Sequence, residues 1–395
     1  MPHHLSDQIE KATLRYTEIL SSQRNQANRL KWDHEIPWER GNWRARPKGK
    51  GLLVIDPDRP FMARLTGIDL EAFYKEPAVH ILGWLQINHS KFENFLEDSY
   101  FPPVFCPWYG VVFEVSFFGV NPLFRHDREP WIENPPRLEN KSELDGLEQP
   151  DFYQSGLMPL IHETLELASR LFGGRIVPVA PTWVRGPLCT AMQLRGMSNL
   201  LVDMIEDPAF VHQLMRFVTE CRKNWLIQRA AALNQPIQRG LLFNDEVGAP
   251  IISPRLYREF VLPYEIELAE FHGGIAYWHS CGNTTAFVGD IAQIPGLKLF
   301  HIGPNTDAAK AAQALRPEVA LEVCLQDVRD VYESSEAQIQ QKFQDIAQAC
   351  QDHNYYIRAD GFDVLTSKEE SLEKIIRLVD IAGLYATERI EEEEP

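Results

Sequence analysis

Short apolar runs alternate along most of the chain with longer amphipathic stretches. The runs predict strands near residues 176–180, 240–244, 274–279, 297–302, 319–323 and 355–359, after an earlier one near 104–105. The stretches predict helices near 151–171, 197–234, 254–271, 284–294, 307–315, 336–352 and 368–382. Strands that alternate with helices indicate βαβ units and a parallel sheet. About eight such units without a GxGxxG turn favour an α/β fold of the (β/α)8 TIM-barrel type over a doubly wound sheet.

The first 95 residues do not share this rhythm. Helical patterns near residues 7–21 and 81–96 flank an aromatic and basic stretch that contains Trp32, Trp38, Trp43, Arg44 and Arg46. We therefore predict a mostly helical N-terminal extension over residues 1–95 that packs on a barrel over residues 96–390. Residues 391–395 are expected to form a solvated acidic tail.

Composition narrows the classes of partner. The chain is 44% apolar and 24% charged, which is ordinary for a globular protein. Its net charge of −17 disfavours nucleic acid and anionic membranes as partners. No stretch approaches the ~20 apolar residues of a membrane span. The six cysteines show no framework spacing and the N-terminus does not resemble a signal peptide, so we expect a cytoplasmic protein with reduced thiols.

Polar side chains recur towards the ends of the predicted strands. The outward face of a barrel strand packs under helices and must be apolar, so polar side chains on a strand should point inward. This places His301, Glu322 and Arg358 inside the barrel. The two-residue period of a strand adds Cys324 and Asp360 to the inward set. Catalytic groups lie at the carboxyl ends of barrel strands, so we predict a site there.

A histidine and a cysteine two residues apart suggest a metal. His279 and Cys281 end the strand predicted at 274–279, and the period of two puts Ile275 and Tyr277 on the same face. Imidazole and thiolate are two of the four ligands that zinc takes, and they favour Zn²⁺ over Mg²⁺ or Ca²⁺. One or two further ligands would come from Cys324, His301, Asp245 and Glu246.

Each of these residues also has a structural interpretation. Cys324 could be a small buried residue, and His301 could be a hydrogen-bonded core histidine. Glu322 could pair with Arg358 inside the barrel. The acidic pair after the strand at 240–244 could cap a turn.

Other residues are candidates for catalysis or substrate binding. Arg185 or Arg358 could hold a carboxylate, sulfonate or phosphate group, or be locked in an ion pair. An aromatic set belongs either to the core or to an apolar pocket: Trp108, Phe113, Phe117 and Phe118. We predict catalytic roles for Asp245, Glu246, Arg358 and Asp360, and substrate contacts for Arg185, Tyr277 and Phe117.

Three runs of sequence resemble the uroporphyrinogen decarboxylase superfamily. The first is Asp245-Glu246 followed by the run from Ile252 to Tyr264, and the second is His279-Ser280-Cys281-Gly282-Asn283. The third joins Arg185-Gly186-Pro187-Leu188, Met192-Gln193-Leu194-Arg195-Gly196 and Asp207-Pro208. The resemblance covers roughly residues 100–390 and implies a single (β/α)8 barrel.

The resemblance also implies two known activities. One is metal-free decarboxylation of uroporphyrinogen. The other is methyl transfer between a corrinoid protein and a thiol such as coenzyme M, with zinc held by an H-x-C pair and a later cysteine. His279 and Cys281 match that pair. The resemblance leaves a homodimer open, because decarboxylases of this superfamily are often dimers.

Two departures separate the chain from both activities. Where the methyltransferases have a Gly-Cys-Gly-like turn and the decarboxylases a histidine, this chain reads Ala359-Asp360-Gly361-Phe362-Asp363. The Arg-Gln-Ala-Gly-Arg arm of the decarboxylases is not found in this chain, and only Arg44 and Arg46 resemble it weakly.

Three functional hypotheses follow. The first is a zinc-dependent methyltransferase that acts on a small molecule with a corrinoid, free or carried by a partner protein. The second is a metal-free decarboxylase of a cyclic or tetrapyrrole-like acid, in which Arg358 or Arg185 binds carboxylate and Asp245 or Asp360 stabilises a protonated ring. The third is a non-catalytic binder of a corrinoid or tetrapyrrole.

Overall fold

The computed structural model describes residues 3–33, 46–132, 135–362 and 367–392, with side chains as far as residue 383. Several residues singled out above lie outside these ranges, namely Trp38, Trp43, Arg44 and Asp363. Residues 393–395 of the expected acidic tail also lie outside, whereas residues 391 and 392 belong to the last helix.

Seven of the strands lie close to the predicted positions, and the other five were not predicted. They are β1 (Trp32–Asp33), β2 (Arg46–Pro47), β3 (Lys50–Asp56), β4 (Val104–Phe105), β5 (Pro122–Arg125), β6 (Arg128–Ile132), β7 (Val177–Pro178), β8 (Gly240–Phe243), β9 (Ile275–His279), β10 (Leu299–Ile302), β11 (Ala320–Leu325) and β12 (Tyr355–Asp360). Six of them form one parallel sheet in the order β3-β12-β11-β10-β9-β8.

Two further parallel strands extend this sheet into a barrel. β4 pairs with β7, and a parallel bridge from Arg185 to Phe243 joins the segment after β7 to β8. Within the described ranges no ladder joins β3 to β4, which are the two ends of the row of eight strands. The predicted (β/α)8 barrel is confirmed, with its seam between β3 and β4.

Helices cover the outside of the barrel and build the N-terminal region. They are α1 (His3–Ser21), α2 (Gln23–Leu30), α3 (Arg59–Thr66), α4 (Leu70–Lys75), α5 (Pro77–Asn94), α6 (Phe113–Ser116), α7 (Met158–Phe172), α8 (Pro187–Arg195), α9 (Met197–Glu206), α10 (Pro208–Ala232), α11 (Pro254–Phe260), α12 (Leu262–His272), α13 (Val288–Ile291), α14 (Ala308–Ala314), α15 (Glu336–Ala349) and α16 (Lys368–Glu392). None of the described helices is long and apolar enough to span a bilayer.

Two predicted helices are each broken in two by local chemistry. The helix expected at 197–234 stops before Asp207, whose carboxylate accepts a hydrogen bond from the Phe210 amide and starts α10. The helix expected at 254–271 breaks at Val261, and Pro263 lies in the first turn of α12. The helix expected at 284–294 shortens to α13.

The strand faces divide as the alternation predicted. Phe300, Leu321 and Val323 pack in the core between sheet and helices. Tyr277, Leu299 and Tyr356 pack together inside the barrel with Val54 and Leu241. The inner layer is therefore apolar below the strand ends, as in other barrels of this type.

One residue lies on the face opposite to the prediction. Ile275 packs under the helices, although Tyr277 faces the interior. The cause is an irregularity between β8 and β9: Gly240 pairs with Ile275 but Leu241 pairs with Tyr277. One extra residue in β9 reverses the alternation at its start, as a β-bulge does.

The hydrophobic pattern predicts no strand in the first 95 residues. The structure places Lys50–Asp56 in the central sheet, in parallel with β12. The stretch predicted to be an N-terminal extension thus supplies a barrel strand, and its last inward residue is Asp56. The expected helices near 7–21 and 81–96 are α1 and α5.

Candidate metal centre

Three side chains of the types that bind metals converge at the carboxyl ends of β9 and β10. His279 is the last residue of β9, Cys281 follows two residues later, and His301 lies in the neighbouring strand. One ligand atom from each lies within 4.8 Å of the others. Cys281 Sγ is 3.3 Å from His279 Nε2, and the two imidazole centroids are 4.1 Å apart. Neighbouring parallel strands that end together thus assemble two nitrogens and one sulfur.

Glu322 on β11 fixes the orientation of both imidazoles. Its Oε1 is 2.6 Å from His301 Nδ1, and because an ionised carboxylate only accepts, His301 must donate from Nδ1. The Tyr277 hydroxyl donates to the same oxygen and lies 2.9 Å from His279 Nδ1, so His279 also donates from Nδ1. With Nδ1 engaged on both rings, Nε2 is the atom through which each histidine would bind a metal.

The buried polar atoms around the three ligands also fit a cation. His301 Nε2 is buried and has no hydrogen-bond partner. Asp245 Oδ1 is also buried and lies 3.1 Å from His279 Nε2. Unpartnered buried polar atoms are costly unless something satisfies them. An ion among His279, Cys281, His301 and Asp245 would satisfy both, and two nitrogens, a thiolate and a carboxylate are ligands that zinc takes.

The pKa values describe the two imidazoles before any ion binds. Burial, together with the positive charge of His279, lowers the pKa of His301 to about 4 despite its bond to Glu322. Burial alone would lower the pKa of His279, but the charge of Cys281 and the contact with Asp245 raise it to about 10. Without a metal, His279 is an imidazolium ion beside the Asp245 carboxylate, and a dication would displace its Nε2 proton.

Comparison with known proteins identifies the family. The family described as "Uroporphyrinogen decarboxylase (URO-D)" matches residues 107–383, more than half of the chain. This chain belongs to the URO-D family. It is 25% identical over 201 residues to "Uroporphyrinogen decarboxylase" of Chlorobaculum parvum, covering 48% of this chain and 54% of the relative. The protein of that name from Pongo abelii is 26% identical over 140 residues, 34% of this chain and 36% of the relative. The chain thus spans about half the length, or less, of the curated relatives it matches.

A solved structure shares the fold. A "methyltransferase from Methanosarcina mazei" superposes with a TM-score of 0.60 over 84% of this chain and 94% of the other, at 15% sequence identity. At that identity the similarity concerns the fold, and it agrees with the URO-D family barrel described above.

Arg185 holds the acidic pair that follows β8, Asp245 and Glu246. Arg185 Nη1 donates to Asp245 Oδ2 and Nη2 to Glu246 Oε1, both at 2.7 Å. Burial would raise the pKa of Asp245, but His279 and Arg185 hold it well below its usual range. The Arg185 side chain is 3% exposed and Asp245 is 32% exposed. Arg185 is therefore locked in ion pairs, which was the alternative to substrate binding, and it positions Asp245 beside His279.

Cys324 lies outside the cluster of His279, Cys281 and His301. Its thiol donates to Asp360 Oδ1 at 3.0 Å, across to β12. Burial first, and then the charge of Asp360, raise the pKa of this thiol well above its usual value. Cys324 is opposite Arg358 in the strand register, whereas His301 is opposite Glu322, one strand nearer to His279. The side chain predicted as a metal ligand thus has a carboxylate as its neighbour.

Arg358 joins three carboxylates inside the barrel. Its Nη2 donates to Asp56 and lies 2.9 Å from both Asp56 Oδ2 and Asp360 Oδ2, and its Nη1 lies 3.3 Å from Glu322 Oε1. The ion pair between Glu322 and Arg358 expected from the sequence is confirmed. The predicted catalytic residues Arg358 and Asp360 are therefore parts of one charged network that touches His301 through Glu322.

Two side chains predicted to contact substrate, Tyr277 and Phe117, are buried among other side chains. Tyr277 is fully buried, and its hydroxyl lies between His279 and Glu322. Phe117 packs in the core, stacked on Trp225 and edge-on to Trp183. Tyr277 thus orients His279, and Phe117 contributes to the barrel's outer core.

Two members of the polar network around Glu322 and Arg358 were not predicted from the sequence. Tyr356 donates its hydroxyl to Glu322 Oε2, and Asp56 accepts from Arg358. Tyr356 lies two residues before Arg358, so the two-residue period could have placed it on the inner face. Asp56 could have been found from the apolar run Leu52–Ile55 that precedes it.

Proposed function

We propose that this chain is a zinc-dependent methyltransferase that moves a methyl group between a corrinoid and a thiol or related acceptor. The main support is the cluster of His279, Cys281 and His301, whose ligand atoms lie within 4.8 Å of one another. The decarboxylation that the family name describes needs no such cluster. The fold shared with a protein named as a methyltransferase agrees with the proposal.

The residues around the cluster have defined tasks in this proposal. Glu322, directly and through Tyr277, keeps both histidines in the tautomer that leaves Nε2 unprotonated. Asp245 is the fourth ligand or the group that leaves when substrate enters, because its oxygen faces His279 Nε2. Cys281 is exposed while both histidines are buried, so the accessible side of the cluster is the Cys281 side.

A zinc ion at this position would lower the pKa of a bound thiol and so supply a thiolate nucleophile at neutral pH. The chain's own part is to orient the ligands, to carry the negative charge of Glu322 and Asp245 beside them, and to place the reacting thiol at the barrel mouth. A corrinoid, free or carried by a partner protein, is the proposed methyl carrier.

Metal content of purified protein tests the proposal. Protein produced with added zinc should contain about one zinc per chain. Variants Cys281→Ser, His279→Ala and His301→Ala should lose it. Zinc-loaded wild type should transfer methyl from methylcobalamin to coenzyme M or a simpler thiol, measured by the corrinoid absorbance, and the three variants should not.

Cys324→Ser is the matched control. It removes a buried thiol close to the network but outside the three-ligand cluster, so zinc content and transfer should stay near those of wild type. Retention of zinc in the Cys281→Ser variant, or its loss in Cys324→Ser alone, would contradict the proposed ligand set.

A second candidate is decarboxylation of a cyclic acid. The curated relatives named uroporphyrinogen decarboxylase favour it. It would need an arginine to bind the acid, and both Arg185 and Arg358 are engaged with carboxylates. Release of CO2 from a candidate acid, unchanged by a chelator, would favour this activity over methyl transfer.

A further inference from the structure

The three residues of the metal cluster are not held equally by the fold. His279 and His301 lie within strands and are buried, whereas Cys281 is exposed in the loop after β9. A metal site needs all its ligand atoms in place together, and a cysteine on a free loop would lose conformational entropy on binding. Whatever fixes the backbone of this loop, residues 280–284, therefore prepares the thiol for an ion.

Gly303, which directly follows β10, packs against this loop with no side chain between them. A Cβ atom at this position would lie 2.9 Å, 3.2 Å and 3.1 Å from three consecutive carbonyl oxygens, those of Ser280, Cys281 and Gly282. Backbone oxygens cannot rotate away as the end of a side chain can. Because Gly303 comes two residues after His301, this contact sets the separation of two segments that each carry a proposed ligand.

The loop after β8 makes the same kind of contact from the other side. A Cβ atom on Gly248 would lie 3.0 Å from Gly282 Cα, and one on Gly282 would lie 3.2 Å from Gly248 Cα. The two backbones are also joined by a hydrogen bond from Ala249 N to Asn283 O at 3.0 Å. None of Gly248, Gly282 and Gly303 has a φ in the left-handed region, so these positions require glycine for space alone.

Two buried hydroxyl groups tie the loop to both neighbours. Ser280 Oγ donates to Val247 O at 2.6 Å and accepts from Gly282 N at 3.1 Å. Thr306 Oγ1 accepts from Thr284 N at 2.9 Å and donates to Gly282 O at 3.2 Å. The loop is thus held on both sides by backbone packing and by hydrogen bonds, although its cysteine is exposed.

We propose that Gly303 and Gly248 are positioning residues for metal binding. Their close packing fixes the loop so that the Cys281 thiolate lies beside His279 and His301 before a zinc ion arrives. An alanine at either position would force the loop away, because the atoms that it meets belong to the backbone. The site would then keep its two imidazoles and lose its sulfur. This inference deepens the proposed function and rests on it.

Cobalt substitution tests the inference, because Co²⁺ takes the ligands of zinc and its bond to a thiolate gives a charge-transfer absorption band. Wild type titrated with Co²⁺ should show this band, and Cys281→Ser, the reference without sulfur, should not. Gly303→Ala and Gly248→Ala should each bind Co²⁺ about tenfold more weakly or worse and lose most of the band at saturation. Thr306→Val removes two hydrogen bonds to the loop without adding bulk, so it should also weaken Co²⁺ binding.

Two other glycines provide matched controls. Gly296 packs against Gly274 at the amino end of β9, and a Cβ atom on Gly296 would lie 2.7 Å from Gly274 Cα. Gly296→Ala should therefore lower the urea midpoint of unfolding but leave the Co²⁺ affinity and band unchanged. Gly289, in α13, would have no atom within 4 Å of its Cβ, so Gly289→Ala should leave the band and the affinity as they are.

The outcomes separate the inference from the proposed function. Wild-type Co²⁺ affinity and band in folded Gly303→Ala would overturn the inference alone, and so would wild-type affinity in Thr306→Val if Gly303→Ala does not fold. An equal loss of the band in Gly296→Ala would also overturn it, because the cause would then be general destabilisation. A wild type that binds neither Co²⁺ nor Zn²⁺ would overturn the proposed function together with the inference.

Discussion

Glu322→Gln is the substitution that most sharply tests how the cluster is organised. Glu322 is fully buried and accepts from the Tyr277 hydroxyl, His301 Nδ1, the Tyr356 hydroxyl and Arg358 Nη1. Glutamine has nearly the same shape, so its carbonyl oxygen can replace Oε1. Its amide can face the Tyr356 oxygen. The change therefore removes the negative charge while most of the hydrogen bonds persist.

The magnitude follows from that loss of charge. Hydrogen bonds to a charged group contribute about 1.5–3 kcal/mol and neutral ones about 0.5–1.5 kcal/mol, a difference of about 1 kcal/mol per bond. Two imidazoles depend on this carboxylate, one directly and one through Tyr277. We expect zinc affinity to fall about 10- to 100-fold, which is the usual cost of removing such a partner and corresponds to about 1.4–2.7 kcal/mol.

Competition with a chromophoric zinc chelator measures the effect. Glu265→Gln is the matched control, because Glu265 is also a fully buried carboxylate with three donors, from Asn244, Tyr257 and Trp278. It should bind zinc within about twofold of wild type. A folded Glu322→Gln variant with wild-type zinc affinity would refute the idea that this carboxylate prepares the histidines.

Three further predictions concern the fold. Burial raises the pKa of Glu265 to about 7 from 4.5 despite its three donors, so its stabilising contribution is complete below about pH 4.5 and is lost as pH rises through about 7. In urea unfolding, the stability of Glu265→Gln should therefore decline less between pH 5 and 8 than that of wild type. A decline equal to that of wild type would contradict the raised pKa of Glu265. Trp225→Ala should cost about 3–5 kcal/mol because Trp225 is fully buried, and a loss below about 1 kcal/mol would contradict its place in the core. Ser335→Ala should cost about 1 kcal/mol by removing the capping box with Gln338, while the exposed Ser21→Ala should be nearly neutral in the same urea titration.

Much of the barrel could be predicted because its strands alternate in a simple way. Along β10 and β11 the apolar residues Phe300, Leu321 and Val323 mark the helix side, which leaves His301 and Glu322 inside. The two-residue spacing of His279 and Cys281 correctly predicted that their side chains lie close together. These inferences need only the period of a strand and the rule that helices cover apolar faces.

Other features depend on contacts between distant segments. The direction of the Cys324 thiol depends on the register of β11 against β12, which brings Asp360 within reach. The first barrel strand, Lys50–Asp56, is a short apolar run in a stretch dominated by helical and aromatic residues, so local pattern did not reveal it. The reversal at Ile275 comes from a bulge that appears only when β8 and β9 pair.

X-ray absorption at the zinc edge tests the central claim most directly, because it counts the ligands of the bound ion. The account predicts one sulfur at about 2.3 Å, from Cys281, and two imidazole nitrogens at about 2.0–2.1 Å, from His279 and His301, with oxygen completing the shell. Two sulfurs, or a shell without imidazole, would contradict it.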